Sequence, residues 1–203
     1  MTVAGLLLAA GAGRRMGRPK ALLVDHDGVP LAGRVVVRLR EAGCARVTVV
    51  LGAAAGEAAA LLRPYDVEVV VAEDWSTGMG ASLRRGLGVL RSSGAPAALV
   101  TLVDLPDVDA RVMARVLDAG ADVLEGALVR ATYGGRPGHP VLIGRDHWSP
   151  LCETLDGDQG ARGYLSGHDV VEVPCDDLAT GRDVDRPEQL LERLDGTVPP
   201  GSA

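Results

Sequence analysis

The chain has 203 residues, of which 47% are hydrophobic and 24% are charged, and its net charge is −6 at pH 7. These values are typical of one globular domain and exclude an intrinsically disordered chain. The acidic balance argues against a nucleic-acid partner, because duplex-binding proteins usually present a basic face. No apolar run approaches the about 20 residues that span a bilayer, so no membrane partner is expected.

The three cysteines, Cys44, Cys152 and Cys175, are scattered without CxxC spacing. Such a distribution makes a poor disulfide framework and a poor zinc site. The N-terminus also lacks the basic region and cleavage site of a signal peptide. Together these features predict reduced thiols in a cytoplasmic protein.

Short apolar runs alternate with helix-like segments in the first half of the chain. The apolar runs suit strands that are buried on both faces of a sheet, and they lie at 3–9, 46–51, 67–72 and 97–103. The helix-like segments lie at 31–42, 55–63 and about 80–92. This alternation predicts βαβ units and a mainly parallel sheet, with a ligand bound at the C-terminal edge of the strands.

The alternation loosens after Asp104. Residues 109–119 are predicted to be helical, and residues 127–132 and 139–143 are predicted strands around the turn sequence YGGRPG. A helix, a strand and a last helix containing RPEQLLERL follow. The Pro/Gly/Ser-rich end, DGTVPPGSA, is predicted to be disordered, so residues 1–195 form the domain and residues 196–203 form a tail.

The glycine-rich stretch LLLAAGAGRRMGRPKALL, residues 6–23, begins within the first predicted strand and continues beyond it. One interpretation is the dinucleotide-binding turn of an NAD(P)-dependent oxidoreductase. That turn needs a helix that begins within the motif and an acidic residue near the end of the second strand. Here Arg14, Arg15, Arg18 and Pro19 interrupt the helix start, and the second strand ends in VVLGAAAG without a carboxylate, so this interpretation is disfavoured.

A triphosphate-binding loop accounts for more of the same residues. Gly11 and Gly13 let backbone N–H groups approach phosphate oxygens closely. Arg15 and Lys20 can neutralise the charge that develops on a leaving pyrophosphate, and Pro19 keeps the chain extended just before Lys20. The spacing is not that of the Walker loop. A solvated basic loop without a ligand is the structural alternative.

The segment LAAGAGRRMGRPK resembles the signature LAAGxGxRMGxxK of nucleotidyltransferases that attach a nucleoside monophosphate to molybdopterin, most of all the molybdenum cofactor cytidylyltransferases. Further segments resemble the family in the same order: WSTGMGASLRRGL (75–87), VDLPDV (103–108), GRPGHPVL (135–142), LDGDQGARGYL (155–165) and DVDRPEQL (183–190). The resemblance implies a three-layer α/β/α fold of the nucleotide-diphospho-sugar transferase type, with one antiparallel strand in a mainly parallel sheet. It also implies Mg²⁺-dependent transfer of CMP from CTP to molybdopterin, with release of pyrophosphate.

Carboxylates are expected to hold the Mg²⁺ ion, since this cation takes carboxylate and phosphate oxygens and stabilises the transferring phosphoryl group. Asp104 follows the fourth apolar run, and the resemblance makes it the first ligand. The resemblance makes Asp185 the second ligand, with Asp183 as its competitor, and Asp185 could also cap the last helix. The predicted catalytic residues are Arg15, Lys20 and Asp104.

The resemblance also implies residues for both substrates. The nucleotide-binding residues are Leu8, Ala9, Ala10, Gly11, Gly13, Arg15, Lys20 and Ser82. The second-substrate residues come from two later turns and are Gly138, His139, Pro140, Asp158 and Arg162. His139 could instead be structural, Asp158 could cap the helix that follows it, and Trp75 could shape the pocket or belong to the core.

Two features favour CTP over GTP in this resemblance. The chain has LAAG where guanylyl transferases of the family usually have LAGG, and it has Pro19-Lys20 where they usually have Asp-Lys. Guanylyl transfer to molybdopterin, or nucleotidyl transfer to another small phosphorylated substrate, is the alternative. A non-catalytic nucleotide-binding or chaperone module for a molybdenum enzyme is a hypothesis from another class. The implied partners are CTP, a molybdopterin-type acceptor and a molybdenum hydroxylase or its chaperone.

Overall fold

The fold is built on one mixed β-sheet. A computed structural model describes residues 2–25 and 27–185. The strands in this part of the chain are β1 Ala4–Ala9, β2 Arg46–Leu51, β3 Glu68–Val71, β4 Ala97–Leu102, β5 Leu128–Tyr133, β6 Arg136–Gly144 and β7 Val171–Pro174. Their order across the sheet is β3-β2-β1-β4-β6-β5-β7. All neighbouring pairs are parallel except those of β6, which is antiparallel to β4 and to β5, as the resemblance implied.

Helices cover both faces of the sheet. They are α1 Leu31–Glu41, α2 Ala55–Leu62, α3 Met79–Leu90, α4 Ala110–Ala119, α5 Trp148–Thr154 and α6 Arg162–Ser166. Leu7 of β1 packs in a core with residues of α1, α2 and α4, whereas Leu6 and Leu8 pack in a second core with residues of α3, α5 and α6. Because both faces are covered, every residue of β1 is buried, which explains the continuous apolar run. The three-layer α/β/α prediction is confirmed.

The largest difference from the predicted elements is the length of β6. Gly134 and Gly135 have φ values of 56° and 69° and form a two-residue turn that pairs Tyr133 with Arg136. Such a turn needs positive φ at both positions, which glycine adopts without strain. The strand predicted at 139–143 therefore extends from Arg136 to Gly144.

Two predictions lie outside the described residues. These are the last helix containing RPEQLLERL and the 196–203 tail, together with the domain boundary at residue 195. None of the helices in the described part of the chain has the length and apolar character needed to cross a membrane.

A buried carboxylate holds the turn that joins the glycine-rich loop to α1. Asp25 accepts hydrogen bonds from the backbone N–H groups of Asp27 and Val29, at 2.9 Å and 3.0 Å, and from Nε of Arg34. Burial acts to raise the pKa of Asp25, but these hydrogen bonds and the Arg34 charge outweigh it, so the pKa is lowered. The carboxylate is therefore ionised at neutral pH and stabilises the folded turn.

We expect Asp25→Ala to lower the free energy of unfolding by about 2 kcal/mol, because two backbone N–H groups and a guanidinium lose their buried acceptor. Urea denaturation at pH 7 measures this change. The matched control is Asp27→Ala in the same turn, whose exposed ion pair with Arg34 should contribute less than about 1 kcal/mol. Because the folded pKa of Asp25 is depressed, its contribution should be lost as pH falls through that value. Equal losses in the two variants at pH 7 would contradict the assignment.

Candidate active site

A cleft of about 440 Å³ opens at the C-terminal ends of β1 and β4. In the sheet, β2 lies on one side of β1 and β4 lies on the other side. The cleft therefore lies between the loops of β1 and β4, at the point where the order of the strands reverses. Its walls come from the loop after β1, the start of α3, the loop after β4 and two later residues. The lining residues are Leu8, Ala9, Ala10, Gly11, Ala12, Gly13, Arg14, Arg15, Met16, Lys20, Trp75, Ser76, Gly78, Met79, Ser82, Leu102, Val103, Asp104, Asp158 and Asp185.

The loop after β1 folds back on itself instead of starting a helix. Gly13 has a φ of 59°, and a Cβ atom there would overlap the carbonyl oxygen of Arg18. Pro19 has a ψ of 131°, so the chain is extended before a short helical turn at Lys20–Leu22. The first long helix, α1, begins only at Leu31. This backbone differs from a dinucleotide-binding turn, in which the helix begins within the glycine motif.

A lysine lies between two carboxylates at one end of this loop. Nζ of Lys20 donates to Oδ2 of Asp104 at 2.8 Å and to Oδ1 of Asp185 at 2.7 Å. Arg15 donates to Oδ2 of Asp185 at 2.8 Å. The side chains of Lys20 and Asp104 are only 15% and 18% exposed. The three predicted catalytic residues and one predicted metal ligand therefore meet in one charged cluster.

The pKa values of this cluster follow from its ion pairs. Burial acts to lower the pKa of Lys20, but the charge and hydrogen bond of Asp104, followed by those of Asp185, outweigh it and raise the pKa. The hydrogen bond from Lys20 is the main cause that lowers the pKa of Asp185, with a further contribution from Arg15. Lys20 is therefore a cation and Asp185 an anion at neutral pH.

The carboxylates are placed to hold a divalent cation. Oδ1 of Asp104 is buried and accepts no hydrogen bond from the described residues. One carboxylate oxygen from each of Asp104, Asp183 and Asp185 lies within 4.8 Å of the others. A buried oxygen of this kind normally has a partner, and a group of carboxylate oxygens is the donor set that hard divalent cations take. The choice between Asp183 and Asp185 as second ligand stays a prediction, because the fold brings both to Asp104.

The segments that precede α3 and α6 contact each other at the cleft wall. Gly78 has a φ of 130°, and a Cβ atom there would overlap the backbone of Gly157. Asp158 lines the same cleft as Ser82 and Trp75. The alternative that Asp158 caps the following helix is excluded, because α6 begins after Ala161 and receives no side-chain cap within the described chain, and contact of Asp158 with the second substrate stays a prediction. Asp109, by contrast, caps α4, because its side chain accepts hydrogen bonds from the N–H groups of Arg111 and Val112.

Four of the residues predicted to bind the second substrate lie outside the cleft lining of the described structure: Gly138, His139, Pro140 and Arg162. Arg162 is exposed at the start of α6. A Cβ atom on Gly138 would lie 2.7 Å from the ring of Tyr133, so close packing explains this glycine without a ligand. Burial lowers the pKa of His139 to about 4, against the opposing charge of Asp104, so this imidazole is neutral at pH 7. Contact of these four residues with a substrate stays a prediction.

Sequence reasoning missed several side chains that shape the cleft. Met79 and Ser76 line the cleft and lie in the segment WSTGMG. The glycines and hydroxyl groups of that segment were the sequence signal that could have indicated them. Val103 also lines the cleft, between β4 and Asp104. One backbone link was also missed, since the N–H of Val184 donates to the Asp104 carbonyl at 2.9 Å and no sequence pattern indicates that contact.

The MobA-like NTP transferase domain matches residues 5–173. The chain belongs to the MobA-like NTP transferase family. This MobA-like chain is 32% identical over 212 residues to a molybdenum cofactor guanylyltransferase of Rhodobacter capsulatus, covering 95% of this chain and 98% of that protein. It is 37% identical over 204 residues to a nicotine blue oxidoreductase of Paenarthrobacter nicotinovorans, covering 95% and 96%.

Solved structures share the MobA-like fold over the whole chain. Rv0371c of Mycobacterium tuberculosis H37Rv has a TM-score of 0.82 and 30% identity, covering 98% of this chain and 100% of that one. The same mycobacterial protein in complex with manganese has a TM-score of 0.75 and 27% identity, with the same coverage. The nucleotide-diphospho-sugar transferase type of fold predicted for the chain is thereby confirmed.

Proposed function

We propose that this protein is a Mg²⁺-dependent nucleotidyltransferase that transfers CMP from CTP to molybdopterin and releases pyrophosphate. The observation that carries the proposal is the cluster of Lys20, Asp104 and Asp185 at the mouth of a glycine-rich loop. Family membership and the 32% identical guanylyltransferase support nucleotidyl transfer and a molybdopterin acceptor. A cytoplasmic location and delivery of the product to a molybdenum hydroxylase or its chaperone are further parts of the proposal.

The residues of the loop would bind and orient the triphosphate. Backbone N–H groups near Gly11 and Gly13 can approach its oxygens, while Lys20 and Arg15 offset the charge that moves to the leaving group. A phosphate oxygen of molybdopterin forms a bond to the α-phosphorus of CTP, and the bond from that phosphorus to the bridging oxygen breaks. Pyrophosphate leaves with the electron pair. Because the attacking phosphate is already an anion, positioning replaces general-base catalysis.

The metal-binding role falls to Asp104 together with Asp185 or Asp183. Mg²⁺ bound there would neutralise charge on the phosphate oxygens of the nucleotide. The manganese complex of the 27% identical Rv0371c supports a divalent cation in this fold. The buried Oδ1 atom of Asp104 supports the same conclusion, since a cation would give that oxygen a partner.

The choice of base rests on the loop sequence. LAAG and Pro19 favour CTP, whereas the 32% identical relative is named a guanylyltransferase and favours GTP. We propose CTP as the donor because the LAAG residues line the cleft and Pro19 directly precedes Lys20, which also lines it. GTP is the alternative donor, and it would leave the residues around the phosphates in the same roles.

A second candidate is dinucleotide-dependent oxidation and reduction, which the 37% identical nicotine blue oxidoreductase favours. The backbone after β1 argues against it, because no helix begins in the glycine motif. The sequence GAAAG after β2 also offers no carboxylate for a ribose hydroxyl. Binding of NAD or NADP would nevertheless make this candidate the better one.

A thermal-shift panel separates these candidates. The purified protein is scanned with CTP, GTP, ATP, UTP, NAD and NADP, each with and without Mg²⁺. A ligand at about 100 times its Kd adds about 2.7 kcal/mol, which raises Tm by about 5 to 10 °C in a domain of this size. We expect a Mg²⁺-dependent shift with CTP. A shift with GTP alone would change the donor, and a shift with NAD or NADP alone would overturn the proposed function.

A further inference from the structure

The ring of Tyr133 packs directly against two glycines from different segments. Tyr133 is the last residue of β5 and is 9% exposed. A Cβ atom on Gly138 of β6 would lie 2.7 Å from Cε2 of the ring. A Cβ atom on Gly181 would overlap the same Cδ2–Cε2 edge. The ring therefore fills a space that only residues without a side chain leave open.

Gly181 belongs to the segment 180–185, which carries Asp183 and Asp185. The backbone N–H and the hydroxyl of Thr180 donate to Oδ2 of Asp107 at 2.8 Å and 2.5 Å. Four residues later, the N–H of Val184 donates to the carbonyl of Asp104 at 2.9 Å. The segment is thus tied to the loop after β4 at two points, and the Tyr133 ring lies against its backbone between them.

The Tyr133 hydroxyl adds one hydrogen bond to this packing. It donates a hydrogen bond to the carbonyl oxygen of His139 at 2.8 Å. Burial raises the pKa of Tyr133, so the hydroxyl keeps its proton and remains a donor at neutral pH. The packing between Gly138 and Gly181 and the bond to His139 together leave the ring a single position.

We propose that Tyr133 is a positioning residue whose ring sets the backbone of segment 180–185, and through it the distance between the Asp185 and Asp183 carboxylates and Asp104. Tyr133 is not among the residues that line the cleft, so its effect is expected to pass through the aspartates. Residues that orient metal ligands typically contribute about 10- to 100-fold to metal affinity. This inference rests on the proposed function, because it assumes that the carboxylates bind a divalent cation.

The test is a titration of the full-length protein with Mn²⁺, followed by the electron paramagnetic resonance signal of the free ion. Tyr133→Leu keeps an apolar side chain but removes the flat ring, so the Kd for Mn²⁺ should rise about tenfold. Tyr133→Phe keeps the ring against both glycines, so its Kd should stay within about twofold of the wild-type value.

A matched control distinguishes positioning from general stability. Tyr65 also packs on a glycine, since a Cβ atom on Gly33 of α1 would overlap its ring, but this contact joins α1 to the connection between α2 and β3 and includes no residue of segment 180–185. Tyr65→Leu should lower Tm in the same way as Tyr133→Leu and leave the Kd for Mn²⁺ unchanged. If Tyr133→Leu folds and binds Mn²⁺ as the wild type does, or if Tyr133→Phe weakens binding as much as Leu, the inference is overturned while the proposed function stands. Lack of Mn²⁺ binding by the wild type would overturn both.

Discussion

Asp104→Asn should reduce metal-dependent pyrophosphate release by about 10³-fold, because a metal ion contributes several kcal/mol of charge stabilisation in the transition state. The amide has nearly the shape of the carboxylate but lacks the charge that holds a cation. Oδ1 of Asp104 is buried with no hydrogen bond from the described residues, so its partner is expected to be the ion. Pyrophosphate release from CTP with molybdopterin measures the rate, and Mn²⁺ titration measures the loss of binding.

The control for this variant is Asp109→Asn, five residues further along the same loop. Asp109 accepts hydrogen bonds from the N–H groups of Arg111 and Val112 at the start of α4. Asparagine is also a favourable residue at this position of a helix, so stability and activity should both be preserved. Wild-type turnover in Asp104→Asn, with Tm unchanged, would remove Asp104 from the metal site.

Lys20→Met should slow turnover by about 10²-fold, since a charged group aimed at developing negative charge contributes about 3 kcal/mol in a site of this kind. Lys20 also lies between Asp104 and Asp185, where its positive charge competes with a cation. The variant should therefore bind Mn²⁺ without nucleotide at least as tightly as the wild type does. A slower reaction with intact metal binding would separate Lys20 from the effect of Asp104→Asn.

Arg18→Met provides the matched control for Lys20. Arg18 belongs to the same basic loop, but it donates to the carbonyl of Leu22 at 3.0 Å and is not among the cleft-lining residues. Removing its charge should leave the rate within about twofold, because exposed charges contribute little on average. Equal reductions of the turnover rate in the two variants would mean that the loop acts only through its overall positive charge, and would contradict a specific role for Lys20.

Most of the fold could be predicted because its signals are local. Leu6, Leu7 and Leu8 form an apolar run that only a strand covered on both faces explains, and the structure has helices on both faces of β1. The boundaries of β6 could not be predicted as well. Its first two residues, Arg136 and Pro137, are exposed, so no apolar pattern marks them as a strand. They belong to the strand because they pair with β5 across the Gly134–Gly135 turn.

In the candidate site, too, the features that depend on adjacent residues could be predicted, and those that depend on tertiary packing could not. The loop around Gly13 could be recognised from adjacent residues, and its predicted backbone, extended at Pro19, is observed. The contact between Gly138 and the Tyr133 ring across the hairpin could not be predicted from the sequence, because it depends on strand pairing, and contact of Gly138 with the second substrate stays a prediction. Asp158 was predicted to contact the second substrate, with helix capping as the alternative, and the packing of its loop on Gly78, which no sequence pattern indicates, brings it into the cleft lining.

By itself, the sequence determined the order of strands and helices, the glycine-rich loop after β1 and the carboxylates available for a cation. These follow from side-chain periodicity and from the backbone freedom of glycine, which act over a few neighbouring residues. Only the tertiary structure decided that Lys20 meets Asp104, 84 residues away, and Asp185, 165 residues away. The physical reason for the first contact is the parallel pairing of β1 with β4, which brings the loops that follow both strands to one edge of the sheet. Asp185 reaches the same edge because the N–H of Val184 donates to the Asp104 carbonyl.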